Sequence, residues 1–217
     1  MALHLARDWY ASLVVDANEG PDESELREAW DAKAFDRAAT MALDRYGSEL
    51  LGYLHAMARP PLEPDELFSE LCERLWKNLP DFQWKSSLRT WSYVVARNLL
   101  RSGIRTARGP RGRVDALVSS DFSKVADRVR STTPPHVRTR AKDRLQEIRE
   151  SLETDEQSLL ILRVDRNMSW NDIADVLADP DDERTRAQRS AGLRKRFERL
   201  KERLREEMNA YTSGSEG

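Results

Sequence analysis

The chain has 217 residues, with 34% charged and 39% hydrophobic side chains and a formal net charge of −2. That balance is polar for one globule and ordinary for small helical domains joined by a linker. No apolar run reaches the length of a membrane span, and a single cysteine, Cys72, excludes an internal disulfide and a cysteine-rich zinc site. His4, His55 and His136 have no ligand spacing, the N-terminus lacks a signal peptide's basic start and apolar core, and there is no paired-carboxylate, nucleophile–base or phosphate-cradling glycine motif. These features predict a cytoplasmic protein that is not an enzyme and holds no metal or cofactor.

Residues 1–30 read as an extension: Leu3, Leu5, Leu13, Val14 and Val15 suit a short helix, Glu19-Gly20-Pro21 breaks it, and 22–28 are acidic. From Asp31 to Arg59 the residues Ala34, Phe35, Ala38, Met41, Ala42, Tyr46, Leu50, Leu54 and Met57 predict one long helix, slightly interrupted at Gly47 and ended by Pro60-Pro61. A second helix opens at Glu63-Pro64-Asp65-Glu66, with proline in its first turn and acids at the positive end of its dipole. Leu67, Leu71, Leu75 and Leu79 repeat along it until Pro80.

The next stretch, F-Q-W-K-S-S-L-R-T-W-S-Y-V-V-A-R-N-L-L-R from Phe82 to Arg101, reads as a polar loop and a helix capped by Ser86 or Ser87. Leu88, Trp91, Val95 and Leu99 predict its buried face, with Arg89, Arg97, Asn98 and Arg101 largely outside it. Aromatics interleaved with cations and hydroxyls suit unpaired bases, which stack on rings while the backbone meets positive charge. An ordinary amphipathic helix with core aromatics has the same pattern.

From Gly103 to Asp143 the periodicity fails around Gly109-Pro110-Arg111-Gly112-Arg113 and Ser131 to Pro135, which predicts a linker, with a short helix somewhere in 114–129. Beyond it, Leu145, Ile148 and Leu152 suit one helix, and Leu159, Leu160, Leu162 and Val164 a second. A third, capped by Ser169, has Trp170, Ile173, Ala174 and Leu177 on its inner face. Asp179-Pro180-Asp181-Asp182 predicts the start of a last helix, along which Leu193, Phe197, Leu200, Leu204 and Met208 repeat. Charge is segregated: five arginines and no acid between Arg101 and Arg113, and ten cations against two acids between Arg184 and Arg205. The intervening 151–183 carries ten acids and two arginines, an electrostatic footprint hidden by the average.

The run W-x-x-L-x-x-F-x-x-x-S-S-L-R-T-W-x-Y-x-x-A-R-N, from Trp76 to Asn98, resembles the promoter-opening segment of extracytoplasmic-function sigma factors of the sigma-70 superfamily. The resemblance implies an all-α protein. Its parts are an extension (1–30), a helical domain that binds core polymerase and the −10 element (31–105), a flexible linker (106–140), a helix-turn-helix domain for the −35 element (141–208) and a tail (209–217). It implies that Asp65, Glu66, Leu67, Glu70 and Arg74 dock on polymerase, with Ser69 standing where such proteins usually have glutamine and Cys72 where they usually have phenylalanine. It also implies that Phe82, Gln83, Trp84, Lys85, Ser86 and Ser87 form a loop that captures a flipped −10 base, Trp84 replacing a frequent glycine, and that Arg89, Thr90, Trp91, Arg97, Asn98 and Arg101 support this site and hold the strands.

S-W-N-D-I-A-D-V-L from Ser169 resembles the first part of the family's helix-turn-helix, whose following basic helix enters the major groove. Arg184, Arg186, Arg189, Arg194, Lys195, Arg196 and Arg199 are its candidate −35 contacts. Several residues more than the usual turn, roughly 182–191, either lengthen that helix at its start, the reading favoured by a cap placed before them, or form an extended basic loop. The expected partners are bacterial RNA polymerase core and promoter DNA, with a monomer when free and no membrane; an anti-sigma factor is allowed but not required. The rival readings are a helix-turn-helix regulator that binds duplex DNA without polymerase and a helical adaptor that binds proteins only.

Overall fold

The computed structural model describes residues 21–106, 120–132 and 151–214, and these contain eight α-helices and no strand. The helices expected around Leu3–Val15 and at Leu145 and Ile148, the 209–217 tail beyond 214, and most of the basic stretch after Arg101 lie outside the described residues. The chain divides into two compact units, one of Pro21–Ala141 and one containing Lys142–Gly217.

In the first unit, α1 is Ser24–Asp31, α2 Phe35–Met57, α3 Pro64–Asn78, α4 Leu88–Thr106 and α5 Ser120–Thr132. The long helix expected over Asp31–Arg59 is present as Phe35–Met57, four residues later at its start, and a separate short helix, Ser24–Asp31, precedes it in the stretch read as an extension. After Asp31 the backbone turns left-handed at Lys33 (φ 58°). Lys33 N–H donates to the Trp30 carbonyl at 2.8 Å and Ala34 N–H to the Ala29 carbonyl at 2.9 Å, the paired bonds of a Schellman stop. Residues 24–30 are therefore not a loose extension: Leu26 is fully buried and Ala29 nearly so.

α2 is the hub, and α1, α3, α4 and α5 all pack on it. It buries Leu43, Leu50, Leu51, Tyr53 and Leu54, each large side chain contributing about 1.5–3 kcal/mol of burial. Gly47 does not interrupt it. The glycine makes room instead, since a Cβ there would stand 3.0 Å from a Val129 methyl on α5. That contact revises the linker assignment as well. Phe122, Ala126 and Val129, spaced for one helical face, are buried, so 120–132 belongs to the packed unit. α3 runs from Pro64 at its first position to Asn78, and Pro80 sits in the 3-10 turn Leu79–Asp81 that follows.

In the second unit, α6 (Thr154–Leu160) runs on into a π-helical turn, Ile161–Asp165, closed by Arg166 N–H to the Ile161 carbonyl at 3.0 Å. α7 is Trp170–Val176 and α8 Arg186–Gly214. Leu159, Leu160, Leu162, Ile173, Ala174, Phe197, Leu200 and Leu204 make the core; the side chain of Met208 is outside the described set. Trp170 meets Phe197 edge-on at 5.5 Å.

The last helix does not start at Asp179. Asp182 N–H bonds to the Asp179 carbonyl at 3.1 Å, a turn with Pro180 at its second position, where proline is equally at home. The helix starts after Thr185. Gln188 N–H donates to Thr185 Oγ1 at 3.2 Å and Thr185 N–H to Gln188 Oε1 at 2.8 Å, a complete capping box. Of the extra residues, 182–185 form loop and 186–191 form helix.

Candidate nucleic-acid interface

The loop 82–87 leads into α4, and Ser87 is the residue that caps it: Thr90 N–H donates to Ser87 Oγ at 3.0 Å. A second cap comes from far away in sequence. Glu23 Oε2 accepts from Leu88 N–H at 2.6 Å and Oε1 from Arg89 N–H at 2.9 Å. A carboxylate on the first free N–H groups of a helix meets both unsatisfied donors and the positive end of the dipole. Tyr46 donates its hydroxyl to the same Oε1 at 2.8 Å, and burial, with Glu23's hydrogen bond and charge beside it, keeps that phenol protonated well above its ordinary range.

Within the loop, Trp84 is left-handed (φ 54°), the conformation glycine adopts at least cost. Its ring lies 5.0 Å from Phe82, 6.2 Å edge-on from Trp30 and 4.9 Å beneath the Arg27 guanidinium. Phe82 also packs on Trp91 at 5.1 Å. Trp30 is fixed in turn by its indole N–H to the Leu79 carbonyl at 2.8 Å. The Trp84 indole nitrogen is buried with no hydrogen-bond partner among the described residues. Helix α1, which sequence reasoning set apart, thus supplies one wall of the loop.

The candidate residues divide by exposure. Gln83, Lys85 and Asn98 are exposed; Trp84, Ser86, Ser87, Arg89, Trp91 and Arg101 are half-buried. Phe82, Thr90 and Arg97 are buried, so they shape the site rather than present themselves to a ligand. The buried face of α4 is Leu88, Ser92, Tyr93, Ala96, Leu99 and Leu100. It is turned from the expected stripe, which leaves Trp91 and Val95 at its edge and brings Arg97 inside. Arg89 makes a bidentate pair with Glu49, at 2.7 Å on both nitrogens. Burial alone would lower its pKa, but the Glu49 bonds and charge outweigh that and raise it.

On α3, Asp65 and Glu66 are exposed, and Glu70 and Arg74 are half-exposed and paired one turn apart. Asp65 faces His55 at 3.7 Å. Leu67 is buried and belongs to the core rather than to a surface.

In the second unit the acids claim several of the candidate cations. Arg184 is exposed but bound through two nitrogens to Asp182, which it holds below the usual carboxylate range. Arg186 reaches Asp175 at 2.6 Å and Asp172 at 3.7 Å. Burial raises the Asp175 pKa, and Arg186 opposes the rise only in part. Arg189 bonds the Arg184 carbonyl and Arg196 lies near Glu153 and Glu156. Arg194, Lys195 and Arg199 are exposed with no acid in ion-pair range among the described residues, Arg194 lying 6.0 Å from the Trp170 ring.

Residues 42–109 match the model of Sigma-70 region 2. The matched segment runs from the middle of α2 through α3 and the loop to α4, and it supports membership of the sigma-70 superfamily and a role in promoter recognition and RNA polymerase binding. No curated protein and no solved structure matches the chain. Among the described residues no helix is long and apolar enough to cross a membrane, and no group of three His, Cys, Asp or Glu is placed to hold a metal ion.

Proposed function

We propose that the chain is a dissociable promoter-recognition subunit of bacterial RNA polymerase, of the extracytoplasmic-function class. It is not itself an enzyme, and it acts in the cytoplasm as a monomer until it meets core polymerase. The observation that carries this reading is the family match at 42–109, coinciding with a loop whose aromatic cluster, Phe82, Trp84 and Trp91, stands beside exposed Gln83, Lys85 and Asn98. Opening a duplex costs a few kcal/mol per unstacked step; a base held against Trp84, with strands against Lys85, Asn98 and Arg101, offsets that cost. Asp65, Glu66, Glu70 and Arg74 present the polymerase-docking face. In the second unit, Arg194, Lys195 and Arg199 are the cations available to a −35 duplex, where most such contacts go to phosphates and the remainder to guanine edges.

Run-off transcription tests this. The protein is added to sigma-free core polymerase from the same source, on fragments of that genome. Discrete new transcripts that weaken on Asn98→Ala or Trp91→Ala are the expected result. No transcripts and no comigration with core would leave a duplex-binding regulator as the better account.

A further inference from the structure

Helix α1 carries a single cation among three acids: Arg27 stands with Glu25, Glu28 and Asp31. That cation is the residue that meets the loop. Its guanidinium lies 4.9 Å from the centre of the Trp84 ring, and Lys85, the next residue along the loop, is exposed. Arg27 is itself open to solvent, with 52% of its side chain exposed. Its one ion pair among the described residues is with Asp31, a turn further on, at 3.6 Å and therefore outside hydrogen-bond range. An exposed pair of this kind contributes little, so the guanidinium N–H groups remain available to a stronger acceptor.

The placing of Arg27 is built from both ends of α1. Before it, Glu23 accepts from the Leu88 and Arg89 N–H groups of α4 and from the Tyr46 hydroxyl. After it, the Trp30 indole donates to the Leu79 carbonyl and the Trp30 ring meets Trp84 edge-on. Arg27 falls about one helical turn from each tie, and both ties run to the segments that flank the loop. A guanidinium set on an aromatic ring keeps its edge donors for a phosphate, which arginine binds in a fork that lysine lacks. The acids on the rest of α1 repel a DNA strand, so Arg27 is the point at which this helix can receive one.

We propose that Arg27 is a strand-binding residue of the promoter site, contributed by a helix outside the matched segment 42–109, and that its ligand is a backbone phosphate of the opened strand whose base the loop holds. The inference rests on the function proposed above. Trp84 and Phe82 supply stacking, and α1 supplies the charge that fixes the strand beside them.

The test uses the full chain with core polymerase, on a promoter fragment that run-off transcription yields, made single-stranded over its −10 region. Uncharged methylphosphonate replaces one strand phosphate at a time. The parent is expected to lose roughly tenfold in affinity at one of these positions, the equivalent of one charge-assisted hydrogen bond. Arg27→Ala is expected to lose the same factor on the unmodified fragment and to be indifferent to methylphosphonate at that position alone. It is also expected to flatten the log–log salt dependence of binding by about 0.7. Arg27→Lys, which keeps the charge, is expected to recover part of the affinity and of the sensitivity. Core affinity and circular dichroism are followed in parallel, and Arg27→Gln is read in the same way should the alanine variant fail to fold. A variant without the charge that binds as tightly as the parent would overturn the contact and leave Arg27 as a partner of Asp31. One that binds more weakly but keeps the parent's sensitivity at every position would also overturn it, leaving Arg27 only to steady Trp84. Both results leave the sigma reading standing. A parent that binds neither core nor any promoter fragment would remove the sigma reading and the phosphate contact with it.

Discussion

Glu23 closes the N-terminus of the helix that begins at Leu88, accepting its N–H at 2.6 Å across 65 positions of sequence. Glu23→Ala removes this cap, the bond from Arg89 N–H and the partner of the Tyr46 hydroxyl together. Loss of a helix cap costs about 1–2 kcal/mol, and urea unfolding is expected to show at least that. Tyr46→Phe, which spares the cap, is expected to cost less.

Trp84→Gly relieves a left-handed tryptophan, a strain on the order of 1 kcal/mol, and gives up ring contacts with Phe82, Trp30 and Arg27. The two effects oppose, so unfolding free energy is expected to move little. If the loop reads a flipped base, the expected change is in the promoters opened, measured by permanganate footprinting of the −10 region with core polymerase. Unchanged footprints would place base reading elsewhere in the loop.

Burial pushes the Cys72 thiol up to about 12 from 9.0, with Arg130 opposing in part. The folded state therefore holds this proton more tightly than the unfolded state does. The resulting stability is fully present below pH 9 and is lost as pH rises from there toward 12, at up to about 1.4 kcal/mol per unit. The stability of the parent is expected to fall more steeply from about pH 9 upward than that of Cys72→Ala, read by urea unfolding at a series of pH values. Tyr46, raised by burial, adds the same slope to both proteins.

Thr185 and Gln188 cap α8 reciprocally. Thr185→Ala is expected to cost about 1 kcal/mol, read as a loss of the first helical turn by circular dichroism and hydrogen exchange. Asp179→Ala, in the preceding turn, is expected to leave that turn of helix in place.

If α8 meets a duplex, Arg194→Ala and Arg199→Ala should each flatten the salt dependence of promoter binding by the holoenzyme by about 0.9 in log–log slope. Arg186→Ala, whose charge is already met by Asp175, is expected to change it less.

Much of this was legible locally. Pro64 marks the start of α3, and the Ser169 cap is realised through Asp172 N–H at 3.2 Å. What escaped depends on contacts that close over long loops. The acids of 22–28 read as a polar run, and nothing within ten residues of Glu23 shows that its partners are Leu88 and Arg89. Val129 has a helical neighbourhood, but only Gly47, far upstream, shows why it packs. Asp179-Pro180 misled for another reason: the same residues start helices and make turns, and the capping box six residues later decided between them. The phase of α4 was misjudged because Tyr93 and Ala96 carry its buried face while the larger Trp91 stands at the rim.

The Glu23 cap also sets how small a working piece of this protein can be. A fragment trimmed to the matched 42–109 would keep the loop 82–87 and lose what steadies it: the carboxylate on Leu88, the Trp30 and Arg27 wall behind Trp84, and the side of α2 covered by Phe122 and Val129. A piece from about Asp22 to Thr132 would keep all of these supports, so boundaries drawn by family likeness alone would cut through them.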